Sequence, residues 1–412
     1  MDNLTHSVIG LVAGAAAAAV TEAIRARSAT GLPESTRRKA FIAVGMIGGN
    51  LPDSDLLVSY SDGKLGYLLQ HRGYTHTIVG AVLLAIALYL ATLAVLRARR
   101  HLPDAGDRIS LAIMTVLALA LHLCMDFLNN YGLHPFWPFD THWHYGDAVF
   151  IVEPWYWVAA APLLLTLRAL WGRVALGLVL AGACVATAVL YRGRLFESAG
   201  LVAVIIALVA FGRRRPLAQT SAVSVALTAL VTATFVFAAS TASGRVEATA
   251  RAFEGEMLID HVLTPAPTTP LCWDVLLLQK SASEYIARRG RIVLAPASED
   301  FRCPHVFGDG AGTAPWQELT PSTGRVRWLR ELRIPLDRFR GLTDGDCQVA
   351  ALMQFVRAPF LADRDGVHIV GDLRFDREAE AGFAELEIGA AGAEDRCPAP
   401  APWSPPRAEL LR

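Results

Sequence analysis

Blocks of apolar residues almost free of charge constrain the fold of this chain more than any other feature. They cover His6–Ile24, Phe41–Leu57, Thr77–Leu96, Ile109–Leu128, Pro154–Leu170, Val174–Tyr191, Ala199–Phe211 and Ala218–Ser240. A helix needs about 20 apolar residues to cross the ~30 Å hydrocarbon core of a bilayer, and most of these blocks approach that length. The second is interrupted by Gly45, Gly48, Gly49 and Pro52, which reads as a broken or re-entrant helix. The seventh is short enough to lie in the interface instead. Residues 1–243 are therefore expected to form an α-helical polytopic membrane domain of seven to eight spans. Only Asp2 and Asn3 precede the first block, whereas a secretory signal needs a cationic start, so a retained helix is expected.

Composition agrees: 53% of the 412 residues are hydrophobic and 18% charged, too apolar for an ordinary soluble enzyme. With 38 basic side chains against 38 acidic ones, no net field favours nucleic acid as a partner. The basic residues cluster in Arg25–Lys39, Arg97–Arg108 and Arg213–Arg215, whereas Asn129–Phe150 holds no Lys or Arg. The positive-inside rule then makes the basic loops cytoplasmic and both chain ends extracytoplasmic. Arg192 and Arg194 run against that assignment.

Beyond residue 243 the chain becomes rich in charge, Pro and Gly. Residues 244–397 read as a soluble, β-rich, extracytoplasmic domain, with alternation in Arg325–Pro335, Val367–Phe375 and Phe383–Ile388. Cys272, Cys303, Cys347 and Cys397 fit no zinc spacing and allow up to two disulfides in three connectivities. Four free thiols are the alternative if the topology is inverted. Cys124 and Cys184, in apolar helices, read as core residues. Residues 398–412 read as an unstructured Pro-rich tail. The domain has no visible catalytic set and is a candidate for binding a protein partner.

Ionisable groups at membrane depth are costly and mark functional sites. Four clusters qualify. Thr5-His6 opens the first block. Asp53 and Asp55 follow a Gly/Pro break at the end of the second, where a turn can present two carboxylates to one cation. His71-Arg72-Gly73-Tyr74-Thr75-His76 leads into the third. Here two imidazoles can converge if Gly73 lets the backbone fold back; Thr75 reads as the helix N-cap, and Arg72 can contact a phosphate or carboxylate. His122 and Asp126, at i and i+4, share one helix face. Alternation of the spans puts all four clusters on one face of the membrane. His6, Asp53, Asp55, His71, His76, His122 and Asp126 then suffice for one or two divalent ions, zinc foremost, with manganese or iron as alternatives. The aromatic loop Tyr131–Tyr145 suits the headgroup level. It adds His134, His142 and His144 as weaker candidates, and Asp147 and Glu153 lie near the mouth of the fifth block.

These motifs resemble the YdjM-like family of bacterial inner-membrane, metal-dependent hydrolases. The resemblance rests on Met1–His6, Asn50–Asp55, His71–His76, His122 and Asp126 followed by Tyr131-Gly132 and Pro138-Phe139, and Phe150–Pro154. It covers residues 1 to about 160. It implies metal ligands at His6, Asp53, His71, His76, His122 and Asp126, and phosphoester chemistry like that of zinc-dependent phospholipase C. Glu153 departs from the family, which has Asp there. The expected activity is hydrolysis of a lipid-linked or amphiphilic substrate by metal-activated water, with Asp55 orienting or deprotonating the water and Arg72 on the anion. Membrane lipids are the expected surroundings. Other readings are a metal or proton transporter, or a membrane-anchored binding or sensory protein with a structural metal.

Overall fold

The computed structural model describes residues 1–25, 30–59, 63–190, 195–251, 253–295, 303, 316–319, 326–364, 366–375, 382–388 and 397–411. The helices are α1 (Asn3–Arg25), α2 (Glu34–Gly48), α3 (Leu56–Ser59), α4 (Gly63–Gln70), α5 (Ile78–Ala98), α6 (Ala105–Phe127), α7 (Pro154–Ala159), α8 (Leu170–Leu190), α9 (Leu195–Gly212) and α10 (Leu217–Ala250). Strands β1 (Met257–Pro265), β2 (Cys272–Lys280), β3 (Glu284–Val293), β4 (Gln317–Glu318) and β5 (Val326–Pro335) follow. Helices α11 (Leu336–Gly345) and α12 (Cys347–Leu352), strands β6 (Pro359–Arg364), β7 (Val367–Asp372) and β8 (Glu385–Ile388), and helix α13 (Ala408–Leu411) complete the chain.

The chain divides into two compact units. The first holds Met1–Ser54, Thr75–Phe127 and Phe150–Phe235; the second holds Asp55–Tyr74, Leu128–Val149 and Val236–Arg412. Among the described residues, α1, α5, α6, α8 and α10 are the 5 helices long and apolar enough to cross a membrane; α9 contributes the shorter apolar stretch Ala199–Gly212. Only 17% of the apolar window of α5 and 22% of that of α8 is buried. Such wide apolar exposure suits lipid and would be a liability in water. The chain is a membrane protein.

Helix α6 shows how the sequence builds this unit. Leu111, Met114, Thr115, Ala118, Leu119, His122 and Asp126 form its buried stripe, while Ile109, Ile113 and Val116 face outward. The spacing is helical, and the two polar residues sit at the inner end of an otherwise apolar stripe. Cys124 lies off it and is exposed, not a core residue as its apolar helix suggests.

Helices α1 and α2 pack through small residues. A Cβ on Gly10 would overlap the Gly45 carbonyl oxygen. One on Gly14 would lie 2.5 Å from Phe41 O, and one on Gly49 2.8 Å from His6 O. Gly10 and Gly45 thus meet backbone to backbone, and the small residues Gly14 and Gly49 let the helices approach closely at Phe41 and His6. The second block, Phe41–Leu57, is broken as its Gly and Pro residues suggest, because α2 ends at Gly48 and α3 begins only at Leu56. Gly45 lies within α2 and serves backbone approach, whereas Gly49 caps the helix and the chain turns through Asn50 into the 3₁₀ turn Pro52–Asp55. Gly10→Ala should therefore separate α1 from α2 at a cost of about 1–3 kcal/mol, as overpacking does. A thermal midpoint in detergent equal to wild type would contradict this contact.

The fifth expected span is likewise not one helix. Helix α7 ends at Ala159 and a 3₁₀ turn, Ala161–Leu163, follows. Pro162 explains the break, since it has no N–H for an α-helical bond and crowds the preceding turn. The segment nevertheless runs the length of the bundle. Asp2 N–H donates to Ile151 O (3.1 Å) beside the start of α1, and Arg38 Nη2 donates to Thr166 O (2.8 Å) beside the start of α2. At that second end, two of the basic loops meet. Buried Asp107 accepts from Arg37 Nε (2.8 Å) and from Leu32 N–H (2.6 Å), and Arg25 pairs with Asp104.

In the second unit, β1-β2-β3-β5-β4 form a five-stranded sheet and β6-β7-β8 a three-stranded one, antiparallel throughout. The alternating segments correspond to β5, β7 and β8. Strands β1, β2 and β3 carry no alternation, because long stretches of them are buried on both faces. Two disulfides close the unit, Cys272–Cys303 and Cys347–Cys397. The Pro-rich end is not unstructured: Ala401, Trp403 and Leu410 join the core with Leu65, Tyr131, Trp143 and Phe355. Trp403 supplies the anchor, stacking on His134 at 4.4 Å.

Candidate metal centre

Four helix ends deliver the ionisable residues of the first unit to one place. His6 comes from the first turn of α1, Asp53 from the turn after α2, His76 from just before α5, and His122 and Asp126 from the end of α6. All five are buried; His76 and Asp126 have no exposed surface at all. Burying this many polar groups in an apolar bundle is expensive unless each is paired or bound to an ion.

Their contacts describe a closed cluster. His76 Nε2 lies 3.3 Å from Asp53 Oδ1 and 3.3 Å from Asp126 Oδ2. His122 Nε2 lies 3.7 Å from Asp53 Oδ1, 3.4 Å from Asp126 Oδ2 and 3.1 Å from His76 Nε2. Five of the six separations among these four atoms therefore fall between 3.1 and 3.7 Å. A tetrahedron of donors about 2.1 Å from a zinc ion has edges of about 3.4 Å. The donor set, two imidazoles and two carboxylates, suits a borderline divalent ion. Asp53 Oδ2 is buried without a hydrogen bond, a further sign that a cation completes the group.

A second layer orients these donors. His122 Nδ1–H donates to the Gly49 carbonyl at 2.7 Å. An oxygen with no proton to give fixes that tautomer and leaves the Nε2 lone pair facing the cluster. His76 Nδ1 meets the Thr75 hydroxyl at 3.0 Å. His6 Nε2 contacts the other Asp126 oxygen, Oδ1, at 3.1 Å, and its ring stacks on His122 at 4.0 Å. The Met1 nitrogen also contacts Asp126 Oδ1. His6 therefore touches the cluster through Asp126. The glycine contact between α1 and α2 matters here, because Gly49 carries both the carbonyl that holds His122 and the close approach to His6.

The remaining sequence candidates divide by unit. Asp55, His71 and Arg72 belong to the second unit. There Asp55 Oδ1 meets His71 Nδ1 at 3.1 Å and Asp55 Oδ2 accepts from the Arg72 N–H at 3.0 Å. Arg72 Nη1 donates to Asn129 Oδ1 (3.0 Å), and its guanidinium lies 4.6 Å from the centre of the Tyr131 ring. The backbone folds back at Arg72 itself (φ 61°). Gly73 instead leaves room for Trp403, whose ring would lie 2.7 Å from a Cβ there. A non-glycine residue held in this conformation is characteristic of functional sites. The α5 N-cap is Thr77, which accepts from Gly80 N–H at 2.8 Å, and not Thr75. The 3₁₀ turn Tyr74–His76 delays the start of the helix.

Of the weaker candidates, Glu153 caps α7 by accepting from Trp155 N–H (3.1 Å). Asp147 forms a two-pronged ion pair with Arg357. His134 is wedged between Trp143 and Trp403. His142 and His144 both contact Asp140; hydrogen bonds from His142 hold that carboxyl down at about 2. The sequence pattern alone missed Gly49 and Thr75 as orienting partners. The only signal was their position, Gly49 four residues before Asp53 and Thr75 next to His76.

One curated relative, the uncharacterised protein YfhP of Bacillus subtilis (strain 168), is 29% identical over 147 residues, which is 35% of this chain. The chain covers 39% of that relative's length. No solved structure matches the chain. Residues 1–195 match the family model described as YdjM inner membrane protein, and that stretch contains His6, Asp53, His76, His122 and Asp126. The first 195 residues of the chain are thus similar to the YdjM inner membrane protein family, in line with the motifs from Met1 to Pro154.

Proposed function

We propose that this protein is a membrane-bound, metal-dependent hydrolase that cleaves a phosphoester or related bond in a lipid-linked or amphiphilic substrate. One observation carries the reading: two imidazole nitrogens and two carboxylate oxygens stand at tetrahedral separations inside an apolar helical bundle. Asp53, His76, His122 and Asp126 would hold the ion, zinc being the best suited to the set. When bound, such an ion would lower the pKa of water to roughly 7 and polarise the bond under attack.

The protein's own residues do the rest. Gly49 O and Thr75 Oγ1 keep the two imidazoles turned so that their Nε2 atoms face inward. His6 holds Asp126 through Oδ1 and so leaves Oδ2 facing the cluster. Asp55 is proposed to orient or deprotonate the attacking water, and Arg72 to hold the anionic group of the substrate. The Arg72 guanidinium fits that role because it offers several donors in one plane, and Asn129 together with the Tyr131 ring fixes that plane. The location of the ionisable residues at one end of the helices favours an interfacial substrate over passage of ions through the bilayer. An extracytoplasmic second unit is part of this reading, supported by its two disulfides.

The test is metal analysis of the purified full-length protein, combined with assays on phospholipid vesicles and a model phosphodiester. The expected result is about one tightly held divalent ion per chain and hydrolysis that a chelator abolishes and zinc restores. Hydrolysis that survives both chelation and His76→Ala would remove the proposed mechanism.

A further inference from the structure

A cavity of about 490 Å³ opens in the first unit among α1, α2 and the start of α8, and no residue of the His/Asp cluster lines it. Its wall follows α2 from Ser35 to Met46, roughly 17 Å at ~1.5 Å per residue. That is close to one leaflet's share of a ~30 Å hydrocarbon core. Leu11, Ile42, Met46, Leu176 and Val179 make the long walls apolar.

The charged lining residues are Arg38, Lys39 and Arg168, all cationic. They gather at the end where α2 begins, for Arg168 Nη2 reaches Glu34 Oε1 at 3.3 Å. The hydrogen bond that Arg38 makes there is to a neutral carbonyl, Thr166 O. Glu22 and Glu34 are the acids near Arg38. Lys39 is exposed and has no carboxylate partner among the described residues. Trp171, also lining the cavity, is 73% exposed, and an exposed Trp beside cations is typical of the headgroup level. A groove of hydrocarbon depth, headed by three cations and an interfacial indole, is complementary to an amphiphile with an anionic head.

We propose that this groove binds one anionic phospholipid, its phosphate held by Arg38, Lys39 and Arg168 and one acyl chain laid along α2. The cationic head of the groove lies at the start of α2, away from the His/Asp cluster, while its walls run on to Leu4, Ser7 and Met46; the proposal is independent of the catalytic reading. Its occupant would fill the gap between α1, α2 and α8, and so brace the α1–α2 pair that carries His6, Gly49 and Asp53.

The experiment is native mass spectrometry of the full-length protein after reconstitution in vesicles of equal phosphatidylglycerol and phosphatidylethanolamine. The wild type should retain one phosphatidylglycerol, preferred by roughly tenfold or more, as several basic side chains at a membrane surface confer. Arg38→Gln/Lys39→Gln/Arg168→Gln should erase that preference. Ala43→Trp, which fills the groove with the cations intact, should displace the lipid. Both are compared at an unchanged thermal midpoint; should the triple variant fail to fold, Lys39→Gln, an exposed position, must still reduce the preference. Equal retention of the two lipids by wild type would overturn the proposal, as would a retained lipid in the Ala43→Trp protein. Displacement of the lipid by millimolar inorganic phosphate alone would also overturn it, because the acyl chain would then contribute nothing.

Discussion

Replacing His76 or His122 with alanine should strip the divalent ion from the purified full-length protein, lowering affinity by more than about 100-fold, whereas His6→Ala should cost only the 10–100-fold typical of an outer partner. The contrast follows from the geometry. His76 Nε2 and His122 Nε2 each have three neighbours in the four-atom cluster at 3.1–3.7 Å. His6 reaches only the outward oxygen of Asp126. Removing a direct donor leaves three, and it also leaves Asp53 and Asp126 buried as carboxylates with less positive charge to balance them. Asp126→Asn should behave like the histidine variants, because its Oδ2 forms two of the five measured edges. Metal analysis after dialysis against a graded chelator series gives the ranking directly. If His6→Ala releases the ion as readily as His76→Ala, the division into donors and orienting residues is wrong. If none of the variants changes metal content, the cluster is a hydrogen-bonded packing device and the enzymatic reading fails with it.

That the cluster assembles at all was legible from two independent features of the sequence. Short polar motifs interrupt apolar blocks at Asp53, His76 and Asp126, and antiparallel helices joined in order must bring those block ends together. Helices impose this through their period, which also explains why His122 and Asp126 point inward while Cys124 does not. What pattern could not supply was backbone geometry. Gly45 looks like a breaker in a string of letters, yet it lies within α2 and meets Gly10 across a helix contact, while Gly14 meets Phe41 and Gly49 meets His6. Pro162 shows the opposite case, an apolar block of spanning length that one residue breaks into α7 and a 3₁₀ turn. His71 and Asp55 carry the same residue types as the cluster, but they belong to the second unit and pair with each other. Composition and spacing cannot distinguish them from His76 and Asp53. The strands of the second unit were visible only where one face meets solvent, as in β5, and silent where burial is two-sided, as in β2. The Pro-rich end misled for a similar reason: three apolar residues, Ala401, Trp403 and Leu410, suffice to dock it.

The second large effect concerns the disulfides. Opening Cys347–Cys397 or Cys272–Cys303, which close segments of 50 and 31 residues, should each cost about 4 kcal/mol by loop-closure entropy. For a unit of this size that corresponds to a fall in thermal midpoint of roughly 10 °C per bridge. Cys347 opens α12, whose Val349 and Leu352 are core residues, and Cys272 lies 1% exposed on β2; both bridges tie peripheral chain to the centre of the unit. The double variant Cys347→Ser/Cys397→Ser should therefore unfold earlier than wild type, and dithiothreitol should lower the wild-type midpoint while changing the variant less. Thiol counting sharpens the result. Denatured wild-type protein isolated from its native membrane should titrate only Cys124 and Cys184, because disulfides persist only where the compartment is oxidising. Six reactive thiols in that sample would place the second unit in a reducing compartment and reverse the orientation drawn from the basic loops.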